Sequence, residues 1–208
     1  MSAISVAGDT SGSVTLSAPA VSGSSVLTLP VATDTLVGKA TTDTLTNKSI
    51  AATQLTGTIA AGRLPAGSVL QVVNGTYATL VSTTTSTFIS TGLTANITPI
   101  SASSKILVFA NVVGVNKGAA NTTIMLRLYR GVSSIIGFED FGGYTGGAIV
   151  NAIGSCSTTY LDSPATTSST TYTVYFASAS NISSVTVQNY NATPANATST
   201  ITLMEIAG

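Results

Sequence analysis

Thr122-Thr123-Ile124-Met125-Leu126-Arg127-Leu128-Tyr129-Arg130 decides the fold. Ile124, Leu126 and Leu128 alternate with Met125, Arg127 and Tyr129, the period-two pattern of a strand with one face on a core and the other toward water. The pattern recurs downstream, where Val174 and Phe176 oppose Thr173 and Tyr175, and Val185 and Val187 oppose Thr186 and Gln188. Upstream, Ile106-Leu107-Val108-Phe109-Ala110 lies in a segment, 105–113, that is apolar on both faces. Such a strand belongs at the centre of a sheet or in a subunit interface.

Working outward, strands are expected at 68–74, 77–82, 87–98, 105–113, 122–130, 134–138, 148–159, 171–177, 184–189 and 200–206. Turn-forming clusters such as Asn74-Gly75, Asn116-Lys117-Gly118 and Arg130-Gly131 separate them. Strands at this spacing without a convincing helix make an all-β, jelly-roll-like sandwich over residues 67–208. The apolar outward face of the 105–113 strand, with Val108, Tyr129, Tyr172 and Tyr175, is expected to pack against copies of the chain as a trimer flank.

Pro65-Ala66-Gly67-Ser68 marks the boundary in front of this knob. Residues 1–31 read as an extended attachment arm: Ser13-Val14-Thr15-Leu16-Ser17 and Val26-Leu27-Thr28-Leu29 are short strand candidates with little to bury. Residues 32–66 read as a neck. Here Ala32-Thr33-Asp34-Thr35-Leu36-Val37-Gly38-Lys39-Ala40 is followed at once by Thr41-Thr42-Asp43-Thr44-Leu45-Thr46-Asn47-Lys48-Ser49. A unit this short needs neighbouring chains, and Asp34, Lys39, Asp43 and Lys48 are placed to set the register of a trimer.

Charged residues make up only 7% of the 208 positions, against about 25% in ordinary domains. Seven acidic and seven basic side chains cancel, so no basic patch invites nucleic acid. The longest apolar runs are far shorter than a membrane span, and the first residues lack the pattern of a signal peptide. With no histidine, the usual general base and metal ligand are missing, and Cys156 alone makes neither an intrachain disulfide nor a zinc site. Cys156 is expected as a small buried hydrophobe without an activating base.

Glu139 and Asp140, between Phe138 and Phe141, are adjacent in sequence and so point to opposite faces of a strand. That arrangement does not suit the facing carboxylates of a glycosidase, for which Asp162 or Glu205 would have to complete the pair. With Tyr144 and the glycines after Gly142 they are expected to form an exposed loop at one end of the knob. An Arg127–Glu205 bridge is a further expectation. No enzyme activity, cofactor or metal is expected.

The arm and neck, SGSVTLSAPAVSGSSVLTLPVATDTLVGKATTDTLTNKSI, resemble a segment recurrent in tail-fibre and other virion structural proteins of tailed phages, especially cyanophages and marine phages. GSVLQVVNGTYATLVSTTTSTFISTGLTANITPISASSKILVFANVVG, IMLRLYRG, YLDSPATTSSTTYTVYFAS and STITLMEIAG look like the C-terminal β domain of the same proteins. The resemblance implies a homotrimer on the virion surface, made in the host cytoplasm, with the major capsid protein or tail components as partners. The missing shaft and tail-attachment domain favour a capsid decoration (cement) protein over a long fibre. The alternative is a short tail fibre or receptor-binding protein whose loops, around Tyr144 and Asn116–Asn121, touch host surface polysaccharide. Neither reading involves nucleic acid or membrane insertion.

Overall fold

The alternation of apolar and polar residues is realised as two antiparallel sheets packed face to face. The structure, a computed structural model of the chain, describes residues 3–7, 11, 13–17, 49–51, 53, 56–57, 59–147, 152–180, 183–189 and 198–208. Two compact units are present, Met1–Thr56 and Gly57–Gly208. In the first, β1 (Ala3–Ala7) pairs antiparallel with β2 (Ser13–Ser17), placing Ile4 opposite Leu16. The expected Ser13–Ser17 strand is therefore present, paired with residues nearer the N-terminus. The strand candidate at 26–29 lies outside the described residues.

The second unit opens with a 3-10 turn, Ala61–Arg63, and then holds β3 (Val69–Tyr77), β4 (Val81–Thr83), β5 (Ile89–Ile97), β6 (Lys105–Lys117) and β7 (Thr122–Arg130). They are followed by β8 (Ser133–Gly142), β9 (Ala152–Asp162), β10 (Thr170–Ser180), β11 (Val185–Val187) and β12 (Ser199–Ile206). One sheet runs β5-β10-β7-β8. The other has six strands: β3-β12-β6-β11-β4, with β9 also paired to β6. Along residues 105–111, β6 pairs with β12, whereas β11 takes over at Asn116 and Lys117.

Residues of one parity meet between the sheets. Leu93, Ile97, Ile106, Val108, Ile124, Leu126, Leu128, Val174, Phe176, Ile201 and Leu203 are fully or almost fully buried. Each contributes about 1.5–3 kcal/mol of apolar transfer free energy, which is how so charge-poor a chain holds together.

Two expected turns behave differently. Gly131, at φ 57°, opens the two-residue β7–β8 hairpin, a backbone conformation that glycine adopts without steric cost. Asn74-Gly75 is not a turn: both residues lie inside β3, opposite Thr202 and Ile201. A Cβ on Gly75 would sit 2.2 Å from the carbonyl oxygen of Thr94 in β5, so glycine is there to let the two sheets approach, not to turn the chain.

Candidate functional site

Two outward faces and a set of buried polar groups carry the chemistry of the sandwich. On the outer face of the six-stranded sheet, Val72 of β3 lies opposite Met204 of β12, Met204 opposite Leu107 of β6, and Leu107 opposite Leu161 of β9. Four strands thus present four aliphatic side chains in one row, spanning about 15 Å at the usual inter-strand spacing. Val72 and Leu161 are about half exposed, and Phe109, two residues along β6, is 40% exposed. The sequence signal for this row was the two-sided apolarity of the 105–113 strand. Its cross-strand continuation through Val72, Met204 and Leu161 was not legible, because it depends on the register between distant segments.

The outer face of the four-stranded sheet is different. Tyr129 and Tyr175 lean on each other with ring centroids 4.3 Å apart and planes 34° from parallel. Arg127, directly opposite Tyr175 in the register, lays its guanidinium over the ring of Phe88 at 4.3 Å. Gly137 faces Arg127 across the β7–β8 ladder. A Cβ there would meet the Arg127 side chain at 3.8 Å and Asp140 Oδ1 at 3.9 Å, so the bare backbone of Gly137 floors a gap between a guanidinium and a carboxylate.

The expected trimer flank is therefore corrected in half its members. Val108 and Tyr172 are fully buried and face the opposite sheet. Tyr172 has the parity of Val174 and Phe176, which already marked it as inward; Val108 sits in a strand whose two apolar faces hide the phase. Tyr129 and Tyr175 do face outward. The expected exposed loop is also corrected: Glu139 and Asp140 lie inside β8, an edge strand whose register shifts break its alternation, and only Tyr144, more than half exposed, lies in the turn beyond it. Of the Asn116–Asn121 segment, Asn116 and Lys117 are buried in β6, and Lys117 donates a hydrogen bond to the Thr145 hydroxyl. Asp34, Lys39, Asp43 and Lys48 lie outside the described residues.

The Arg127–Glu205 bridge does not form, because Arg127 has the outward parity of β7 and lies over Phe88, whereas Glu205 points between the sheets. Instead Arg130 donates to both carboxylate oxygens of Asp162 at 2.9 and 2.8 Å, and the Tyr172 hydroxyl donates to Oδ2 at 2.6 Å. Asp162 is in β9 and its two donors are in β7 and β10, so the cluster ties one sheet to the other. Burial, followed by the hydrogen bond to Asp162, pushes the Tyr172 phenol far above its ordinary value.

Glu205 shares the inward parity of Ile201 and Leu203 and is fully buried. Burial alone would raise its pKa. Hydrogen bonds from the Gln71 side chain and from the backbone N–H of Ile100 (2.7 Å), with the Ser104 hydroxyl and the Ser101 backbone N–H close beside the carboxylate, overcome that and hold it below its ordinary range. Over these residues lies a recess of about 300 Å3, bounded by Leu64, Leu70, Ile100, Ser101 and Ala207. Both Asp162 and Glu205 are thus engaged structurally. Cys156 is half buried; burial first, and the charge of Glu139 second, push its thiol up to about 11, which leaves it a poor nucleophile at neutral pH.

Among the described residues no group of three or more His, Cys, Asp and Glu side chains is placed to hold a metal ion. No helix among them is long and apolar enough to cross a membrane, which says nothing of β-barrels. No family model matches the chain, and no curated protein matches it either.

Proposed function

We propose that this chain is a non-enzymatic structural subunit that assembles as a homotrimer on the surface of a tailed-phage particle, as a capsid decoration (cement) protein. The observation that carries the reading is the Val72–Met204–Leu107–Leu161 row, an uncharged aliphatic stripe facing outward from the sheet. Burying what remains exposed of such side chains contributes up to about 1 kcal/mol apiece, roughly half the value for a fully buried one. Copies of the same chain present a matching stripe. The strand order β3-β12-β6-β9 facing β5-β10-β7-β8 supports the jelly-roll reading of residues 67–208, the knob that projects outward.

In this reading residues 1–31 grip the shell through backbone hydrogen bonds of added strands, which need little charge. Residues 32–66 then set the trimer register. The partners are the other two copies and the major capsid protein, with no cofactor, nucleic acid or membrane. The second reading, a short tail fibre or receptor-binding protein, is favoured by the exposed Phe141 and Tyr144 at the β8 end of the knob.

Light scattering on the full chain tests the assembly. The expected result is three times the chain mass, and Leu107→Glu, which puts a charge in the middle of the stripe, is expected to give single chains with an unchanged circular dichroism spectrum. A monomeric wild type, or a trimer indifferent to Leu107→Glu, would remove the stripe as the contact. Copy number on purified particles separates the two placements: hundreds per particle for a cement protein, a few dozen or fewer for a fibre.

A further inference from the structure

The outer face of the four-stranded sheet lies away from the aliphatic stripe, and its chemistry calls for a different partner. Arg127 is half buried, with its guanidinium over the Phe88 ring, and has neither an ion-pair nor a hydrogen-bond partner among the described residues. Asp140 is exposed and likewise unpaired there. Five N–H donors held in a plane therefore stand on one side of the Gly137 floor, and two acceptor oxygens on the other. The Tyr129–Tyr175 pair rises from the same face, with Tyr175 directly opposite Arg127 and Tyr129 two residues along the same strand as Arg127.

We infer that this surface, Phe88, Arg127, Tyr129, Tyr175 and Asp140 around the floor of Gly137, is a binding platform for a neutral oligosaccharide. Vicinal sugar hydroxyls are donors and acceptors at once, so one pair of hydroxyls satisfies both the guanidinium and the carboxylate. The C–H faces of a pyranose ring are apolar and lie against aromatic planes. A phosphate polymer is disfavoured, because Asp140 repels it and the chain offers no excess of positive charge. The platform is independent of the assembly contact, since it occupies the other sheet.

Calorimetric titration of the full chain with maltohexaose and with cellohexaose tests this, with hexamannuronate as the acidic counterpart. The expected result is saturable binding of at least one neutral oligomer and weaker binding of the uronate. Arg127→Ala is expected to weaken affinity about tenfold or more, the cost of losing hydrogen bonds from a charged donor. Gly137→Val, which fills the floor from an edge strand, and Asp140→Asn, at an exposed position, are expected to weaken it as well, with melting temperatures close to wild type. No saturable binding of either neutral oligomer overturns the inference. So does preference for the uronate, or loss in Arg127→Ala alone with Gly137→Val and Asp140→Asn unchanged. A monomeric protein that binds the sugar leaves this inference standing and removes the trimer, while a trimer that binds none does the reverse.

Discussion

Glu205 stays ionised although it is fully buried, because its oxygens face donors contributed by Gln71 and by the backbone around Ile100. Its folded pKa lies below its ordinary value of 4.5, so its contribution to stability is fully present above about that pH and is lost as the pH falls through the lower, folded value. Glu205→Gln turns one acceptor edge into a donor facing the Gln71 amide, and is expected to cost about 1–3 kcal/mol at pH 7. Its stability should also fall less between pH 5 and pH 3 than that of wild type, as followed by urea unfolding at each pH. Equal slopes would assign the acid sensitivity to another carboxylate. Glu205 was legible in the sequence as a member of the last strand, but not as a buried charge. Its donors come from the start of β3 and from the loop after β5, and no local pattern announces a meeting of segments so far apart. Arg130 and Asp162 were equally visible as residues and equally invisible as a pair.

Strands are where the sequence speaks most directly. β7 ends at the residues its alternation predicts, and β12 begins one residue earlier than expected. Period two is a local property, and one buried face enforces it. What failed was phase and punctuation. Val108 could not be oriented in a strand apolar on both sides, and Asn74-Gly75 carried the composition of a turn while serving a close approach of two backbones. That approach gives a sharp contrast at this scale. Gly75→Ala, with its new carbon 2.2 Å from the Thr94 carbonyl oxygen, is expected to force β3 away from β5 and cost about 1–3 kcal/mol, as overpacking does. Gly137→Ala, whose nearest contacts are 3.8 Å away, is expected to be close to neutral. Urea midpoints of the two variants measure the difference, and equal midpoints would mean that the sheets can separate freely at Gly75.

For the whole molecule, two faces of opposite character divide the proposed work. An assembly held by the aliphatic stripe gains little from ion pairs, and its driving force strengthens rather than weakens when salts such as sulfate are added. Sedimentation of the full chain is therefore expected to show the same oligomer at low and high ionic strength. Dissociation by sodium chloride would point instead to charged contacts, such as those proposed for Asp34, Lys39, Asp43 and Lys48.

The place of β12 has a bearing on how the protein is made. Residues 199–206 fill the slot between β3 and the first half of β6, so a nascent chain exposes both of those strand edges until Ile206 has left the ribosome. Neither neighbour can complete its ladder with anything synthesised earlier. The six-stranded sheet therefore closes after translation of this region, not during it, and a ribosome stalled short of Ser199 leaves two open edges of the kind that draw polypeptides into aggregates.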